Sequence, residues 1–159
     1  MPESFLTAYN FEVRLAPSGL GGDEELTLRS HGAFSEVSGL EISIQVVEIR
    51  EGGYHGGKRK LPGPGAAGEL VLKRGLSLDK GFWSWIQRCM DGTYPLPYLD
   101  GEVLVHGPSV TRDESIAARF SFVNGLAVRV RCPDLNAVQA SSLPIEELHI
   151  SHEGLRRES

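Results

Sequence analysis

Cysteine is scarce: the 159 residues hold two, Cys89 and Cys132. That excludes a disulfide framework or a cysteine-based zinc site and leaves buried free thiols, compatible with a reducing cytosol. Long apolar runs are missing too, so no segment is predicted to span a membrane. The opening MPESFLTAYNF lacks the basic start and apolar stretch of a signal peptide. Nor is there an excess of positive charge. Lys and Arg number 16 against 21 Asp and Glu, a formal net charge of −5. A dedicated nucleic-acid binder is expected to carry the opposite balance. Internal repeats and low-complexity tracts are absent. What remains is an ordinary globular composition, 40% hydrophobic and 23% charged. One domain over residues 1–159 is expected, with enough chain for a substantial core.

Glycine, by contrast, is abundant, and it concentrates in REGGYHGGKRKLPGPG, Arg50 to Gly65. Glycines and prolines predict an irregular, extended loop at about 50–68, and Lys58, Arg59 and Lys60 set three adjacent cations in it. Strands are predicted on both sides. Leu40 to Ile49 alternates, with Ile42, Ile44 and Val46 on one face and Glu41, Ser43 and Gln45 on the other. Glu69 to Arg74 follows, with Leu70 and Leu72 pointing the same way. Other predicted strands are Tyr9–Leu15, Ala33–Val37, Glu102–His106, Ala118–Val123, Leu126–Arg131 and Pro144–Ser151. Asn124-Gly125 marks either a hairpin turn or a kink in one long strand. A single helix is predicted over Asp79 to Met90, with Asp79 as N-cap and Phe82, Ile86 and Cys89 on one stripe. Trp83 and Trp85 point in different directions; both are expected to cover the sheet, the alternative being that one meets a partner. The fold class expected is mainly β, an antiparallel sandwich or barrel with one packed α-helix.

No catalytic constellation emerges. Residues 52–58, GGYHGGK, match the first seven positions of a phosphate-binding P-loop. The eighth, which should give a hydroxyl to magnesium, is Arg59, and a Pro-Gly run stands where a helix is required. A nucleotide- or ligand-binding module is therefore the minority alternative. His149 and His152 face opposite sides of a strand and cannot chelate one metal. Glu146 and Glu147 likewise alternate across a strand, and no G-x-S-x-G elbow occurs. No cofactor is expected, and the chain is read as a non-enzyme.

Several segments taken in order resemble the tail-tube protein family of contractile phages and phage-tail-like injection systems. They are GAFSEVSGLEISIQVVEIREGG (32–53), KRKLPG (58–63), GELVLKRGLSLDKGFWSWI (68–86), RFSFVNGLAVRVRCPDLNA (119–137) and IEELHISHEGL (145–155). The resemblance implies a tube fold like that of type VI secretion tubes, hexameric rings whose sheets join around a channel, and stacking of those rings inside a contractile sheath. It implies sheath, baseplate, spike and tube-terminator partners, luminal protein cargo or DNA, assembly in the cytoplasm and residence in a phage tail or injection particle.

It also implies that the loop after the long strand reaches adjacent subunits. Here that gives Glu51, Gly52, Gly53, Lys58, Arg59, Lys60, Leu61 and Pro62 as interface candidates, with Lys73 and Arg74 beside them. Asp23, Glu24 and Glu25 are one possible acidic counterpart. Glu41, Ser43, Gln45 and Glu69 are candidates for a wetted lumen. Gly107–Ser115 and Ser141–Pro144 depart from the family pattern, which leaves the repeated tube subunit and a tube initiator at the baseplate both open.

Overall fold

Strands whose every second residue is apolar bury those residues on one side, and this rule builds most of the molecule. A computed structural model describes residues 10–19, 34–107, 116–138 and 142–158. Its elements run β1 (Phe11–Pro17), β2 (Phe34–Ser38), β3 (Ile42–Ile49), β4 (Arg59–Ala67), β5 (Leu70–Gly75), α1 (Gly81–Asp91), β6 (Leu99–His106), β7 (Ile116–Arg131), β8 (Ile145–Ser151) and β9 (Gly154–Arg157). All pairings are antiparallel. A seven-stranded sheet has the order β1-β6-β7-β8-β5-β2, with β9 also on β7, and β3 and β4 form a separate two-stranded sheet.

The long β7 joins two layers. Its first half pairs with β6 and β9, and from Leu126 it pairs with β8. Asn124-Gly125 is thus a kink in one strand rather than a hairpin. Asn124 sits at φ 51 and is held there on three sides. Its backbone N–H donates to Asp100 Oδ1 (2.9 Å), its Oδ1 accepts from Ser18 Oγ (2.8 Å), and its Nδ2 donates to Glu153 Oε2 (2.6 Å). At Gly125 a Cβ would stand 2.8 Å from the Phe122 ring and 2.9 Å from Ile150, so only glycine lets the strand turn there. Strands that switch layers at a bend close sandwich corners in this way.

Val13, Leu15, Leu99, Val103 and Phe122 from one layer meet Leu70, Leu72, Leu148 and Ile150 from the other in one core. The expectation of a mainly β, antiparallel sandwich with one packed helix holds. β9 was not expected; GLRR is too short to show a period. The predicted strand at Glu102 begins earlier, at Leu99.

The helix starts at Gly81, not Asp79, and Lys80 occupies the cap position without a side-chain cap bond. Asp79 still supports the first turn, its Oδ1 accepting the Gly81 N–H at 2.9 Å. Phe82 and Trp85 are fully buried, and Trp85 donates its indole N–H to Pro97 O at 2.8 Å. Ile86 and Cys89 only border the core. Trp83 is partly exposed, so the two tryptophans do not both cover the sheet. Gly92, at φ 62, ends the helix in a left-handed turn.

Candidate subunit interface

β2 and β5 pair in the main sheet, and the chain between them continues as β3 and β4, so residues 34–75 form one long hairpin whose outer half is a separate arm. The change of sheet falls at a neck of two glycines. Gly39 has φ +86, and a Cβ on it would lie 1.8 Å from Glu69 O; no L-residue fits there. Across the neck the Gly68 N–H donates to Glu41 O at 3.2 Å.

The predicted loop at 50–68 is corrected here. Only residues 50–58 form the turn, and Arg59–Ala67 is a strand. Pro62 and Pro64, which argued against a strand, are tolerated because β4 pairs on one side only. A register shift at Ile44/Val46 sets Gly63 and Pro64 opposite Gln45 alone. Such a bulge absorbs a proline that cannot donate to a ladder.

Both faces of the arm lie open. Ile42, Ile44 and Val46 are 60%, 59% and 56% exposed on one face, and Val47 and Ile49 on the other are also exposed. An isolated two-stranded hairpin is marginal in water, and a contiguous apolar surface of this kind marks an interaction site. This exposure is what sequence reading missed. The alternation of β3 was legible, but its polar face turns apolar at Val47, and nothing in the sequence said that no layer would cover Ile42.

The basic cluster is partly neutralised at the arm tip. Lys58 pairs with Glu48 at 3.2 Å and Arg59 with Glu51 at 2.8 Å, while the Arg59 guanidinium also lies 4.7 Å from the Tyr54 ring centroid. Lys60 stands opposite Glu48 in the ladder, and Leu61 opposite Val47. The acidic residues Asp23, Glu24 and Glu25 lie outside the described residues. So do most of Gly107–Ser115 and Ser141.

Arg74 is corrected as an interface residue. It is 5% exposed, bonded through Nε to the buried Glu146 and through Nη1 to Asp79 Oδ2 at 3.0 Å. Its guanidinium also stacks 3.7 Å from the Phe82 ring centroid. It fixes the start of α1 to β5 and β8. The Asp79 carboxyl is held below the usual range first by the Gly81 N–H and then by Arg74. Lys73, on the other face, remains partly exposed and reaches Glu36 at 3.2 Å. Glu69, exposed at the neck, approaches His149 Nδ1 at 3.4 Å. Glu41, Ser43 and Gln45 are exposed on the arm.

The P-loop alternative fails on geometry. After Lys58 comes β4, so no helix N-terminus faces the turn. Among the described residues no group of three or more His, Cys, Asp or Glu is placed to hold a metal ion. No helix among them is long and apolar enough to cross a membrane.

The described sandwich thus carries a two-stranded arm whose apolar residues are exposed. Residues 7–156 match the family described as T4-like virus tail tube protein gp19, and the chain belongs to that family. It is a structural tail tube subunit. No curated protein matches the chain. Solved structures share the fold. A chain from the PVC sheath-tube complex of an extracellular contractile injection system, in the extended state, is 19% identical; the match covers 99% of this chain and 94% of that one, at a TM-score of 0.75. The anti-feeding prophage tube-terminating cap gives 18%, 100% and 94%, and 0.74. A crystal structure of an Hcp protein gives 11%, 93% and 91%, and 0.54.

Proposed function

We propose that the chain forms hexameric rings that stack into the rigid inner tube of a phage tail or injection particle, and that the arm is the device that joins copies. The exposed apolar arm carries this reading. Ile42, Ile44, Val46 and Val47 gain free energy only when another surface removes them from water, and the marginal hairpin is ordered by the same contact. Exposed tip residues Glu51, Gly52, Gly53, Lys58, Arg59, Lys60, Leu61 and Pro62 then lie at a contact between copies. The polar face of the sheet, with Glu69 and Lys73, and Glu41, Ser43 and Gln45 at the arm, faces the channel and whatever protein or DNA passes through it. A wall whose strands bury one face and wet the other suits that place.

A sheath outside the tube, a baseplate below it and a terminator above it are the partners this role requires. The solved relatives come from a sheath-tube complex, a tube-terminating cap and a baseplate. Work is done mechanically, without catalysis: sheath contraction drives the tube through an envelope. Assembly precedes release, in the cytoplasm of the producing cell. Sedimentation velocity of the purified chain tests the proposal. A hexamer or larger stacks are expected, and a species that stays at 17.3 kDa at all concentrations contradicts it.

A further inference from the structure

The dipeptide that bends β7, Asn124-Gly125, is also the most chemically labile pair in the chain. Asparagine is a thermolabile residue, and a glycine after it offers no side chain to obstruct attack. In a flexible chain the Gly125 backbone nitrogen attacks Cγ of Asn124. A Cγ–N bond forms and closes an imide ring, the Cγ–Nδ2 bond breaks, and Nδ2 leaves as ammonia with the proton given up by the Gly125 nitrogen. Water then opens the imide at either carbonyl, leaving aspartate or isoaspartate at position 124. Water is the only other reactant.

The folded subunit blocks each part of this reaction. The Asn124 amide is held at both ends, Oδ1 accepting from Ser18 Oγ at 2.8 Å and Nδ2 donating to Glu153 Oε2 at 2.6 Å. Cγ cannot turn toward Gly125 without parting from both, and Ser18 is itself buried. The attacking nitrogen is no freer. Gly125 is buried and stands opposite Leu99 in the β6–β7 ladder. The residue before it is tied to Asp100 Oδ1 through its backbone N–H at 2.9 Å. One residue further back, Val123 O accepts the Glu153 N–H at 3.0 Å. Moving the Gly125 nitrogen therefore means opening the bend from β6 and from the turn between β8 and β9.

We propose that the bend of β7 is a latent modification site, closed while the subunit stays folded and deamidated when β7 opens. The product does not fit the bend it came from. Nδ2 of Asn124 is a donor aimed at the Glu153 carboxylate, whereas an aspartate there has only acceptors and adds a third negative charge beside Asp100 and Glu153. Isoaspartate also lengthens the backbone by one carbon, at a place where Gly125 lies too close to Phe122 and Ile150 to admit a Cβ. A chain that has unfolded and reacted is thus marked at position 124 and does not rebuild the native kink. This holds for the single subunit and is independent of the ring reading.

The test compares the full chain folded in buffer with the same chain unfolded in guanidinium chloride, at one mildly alkaline pH, beside a peptide of residues 121–127 in each solution. Digestion and mass spectrometry read the amide-to-acid mass shift at Asn124, and chromatography separates the isoaspartate form. The unfolded chain is expected to convert as fast as the peptide. The folded chain should convert at least about a hundredfold more slowly, because the reaction waits for an opening that subunit stability makes rare. A folded chain that converts at the peptide's rate overturns the closure, and an unfolded chain that converts no faster than the folded one overturns the site. Asn124→Asp is expected to lower Tm by about 4 °C or more, through the lost bond to a charged group. Adding Glu153→Gln, which restores a donor, should recover most of that loss. An unchanged Tm for Asn124→Asp, or no recovery in the double variant, overturns the account of why the product does not fit.

Discussion

Replacing Ile42, Ile44 and Val46 together by Thr strips the apolar stripe from one face of the arm while keeping β-branched side chains that suit a strand. In the free subunit these residues are 60%, 59% and 56% exposed, so their loss costs the folded monomer little. Full burial of a Val or Ile side chain contributes about 1.5–3 kcal/mol. Slightly more than half of that is still to be gained at each position, or about 1 kcal/mol. The triple variant therefore forgoes about 3 kcal/mol of association, roughly a hundredfold in the association constant. A dilution series in sedimentation velocity reads the concentration at which subunits assemble, with thermal unfolding of the dilute monomer as control. The midpoint of assembly should rise roughly a hundredfold while the monomer unfolds at nearly its original temperature. An unchanged assembly midpoint refutes the idea that these side chains are buried between copies.

Three further perturbations address the subunit. Arg74→Ala leaves Glu146, 1% exposed, as an uncompensated buried charge; breaking such a pair costs about 3–5 kcal/mol, or about 10 °C in Tm for a domain of this size, and a drop below about 3 °C shows that the cluster does not hold α1. Gly39→Ala puts a Cβ 1.8 Å from Glu69 O at φ +86 and should destabilise the subunit by more than about 2 kcal/mol, whereas Gly52→Ala, with nothing within 4 Å, should be neutral; equal urea midpoints contradict the account of the neck. The Asp79 carboxyl is depressed in the folded state, so its stabilisation is fully present above its unfolded value near 3.8 and fades as pH falls through the folded one. The stability gap between wild type and Asp79→Asn, read as urea midpoints across pH, should therefore shrink in acid, and a gap constant with pH contradicts this role.

The alternation of Leu70, Leu72, Leu148 and Ile150 made the core strands legible, because a half-buried strand writes its inward face into every second residue. The helix was legible for the same reason at a different period, although Trp85, not Cys89, proved to be its deepest partner with Phe82. Local chemistry misled at β4. Glycine and proline there signalled a loop, yet an arm paired on one side only tolerates both. Arg74 was misplaced because its partners, Asp79 five residues on and Glu146 on another strand, are joined only by tertiary packing. At Asn124-Gly125 two conformations were compatible with the dipeptide, and the close approach of Phe122 and Ile150 to Gly125 decides for the kink. The exposure of the arm was hidden for a more general reason. A strand with both faces exposed carries the same alternation as one that covers its own core.

Negative-stain imaging of the purified wild-type chain, beside a chain lacking arm residues 42–67, decides whether the arm joins copies into a tube. Wild type should form rings with a central channel, many of them stacked into tubes, and the armless chain only dispersed subunits with the sandwich still folded. Dispersed wild-type subunits at high concentration, or tubes of normal appearance without the arm, contradict it.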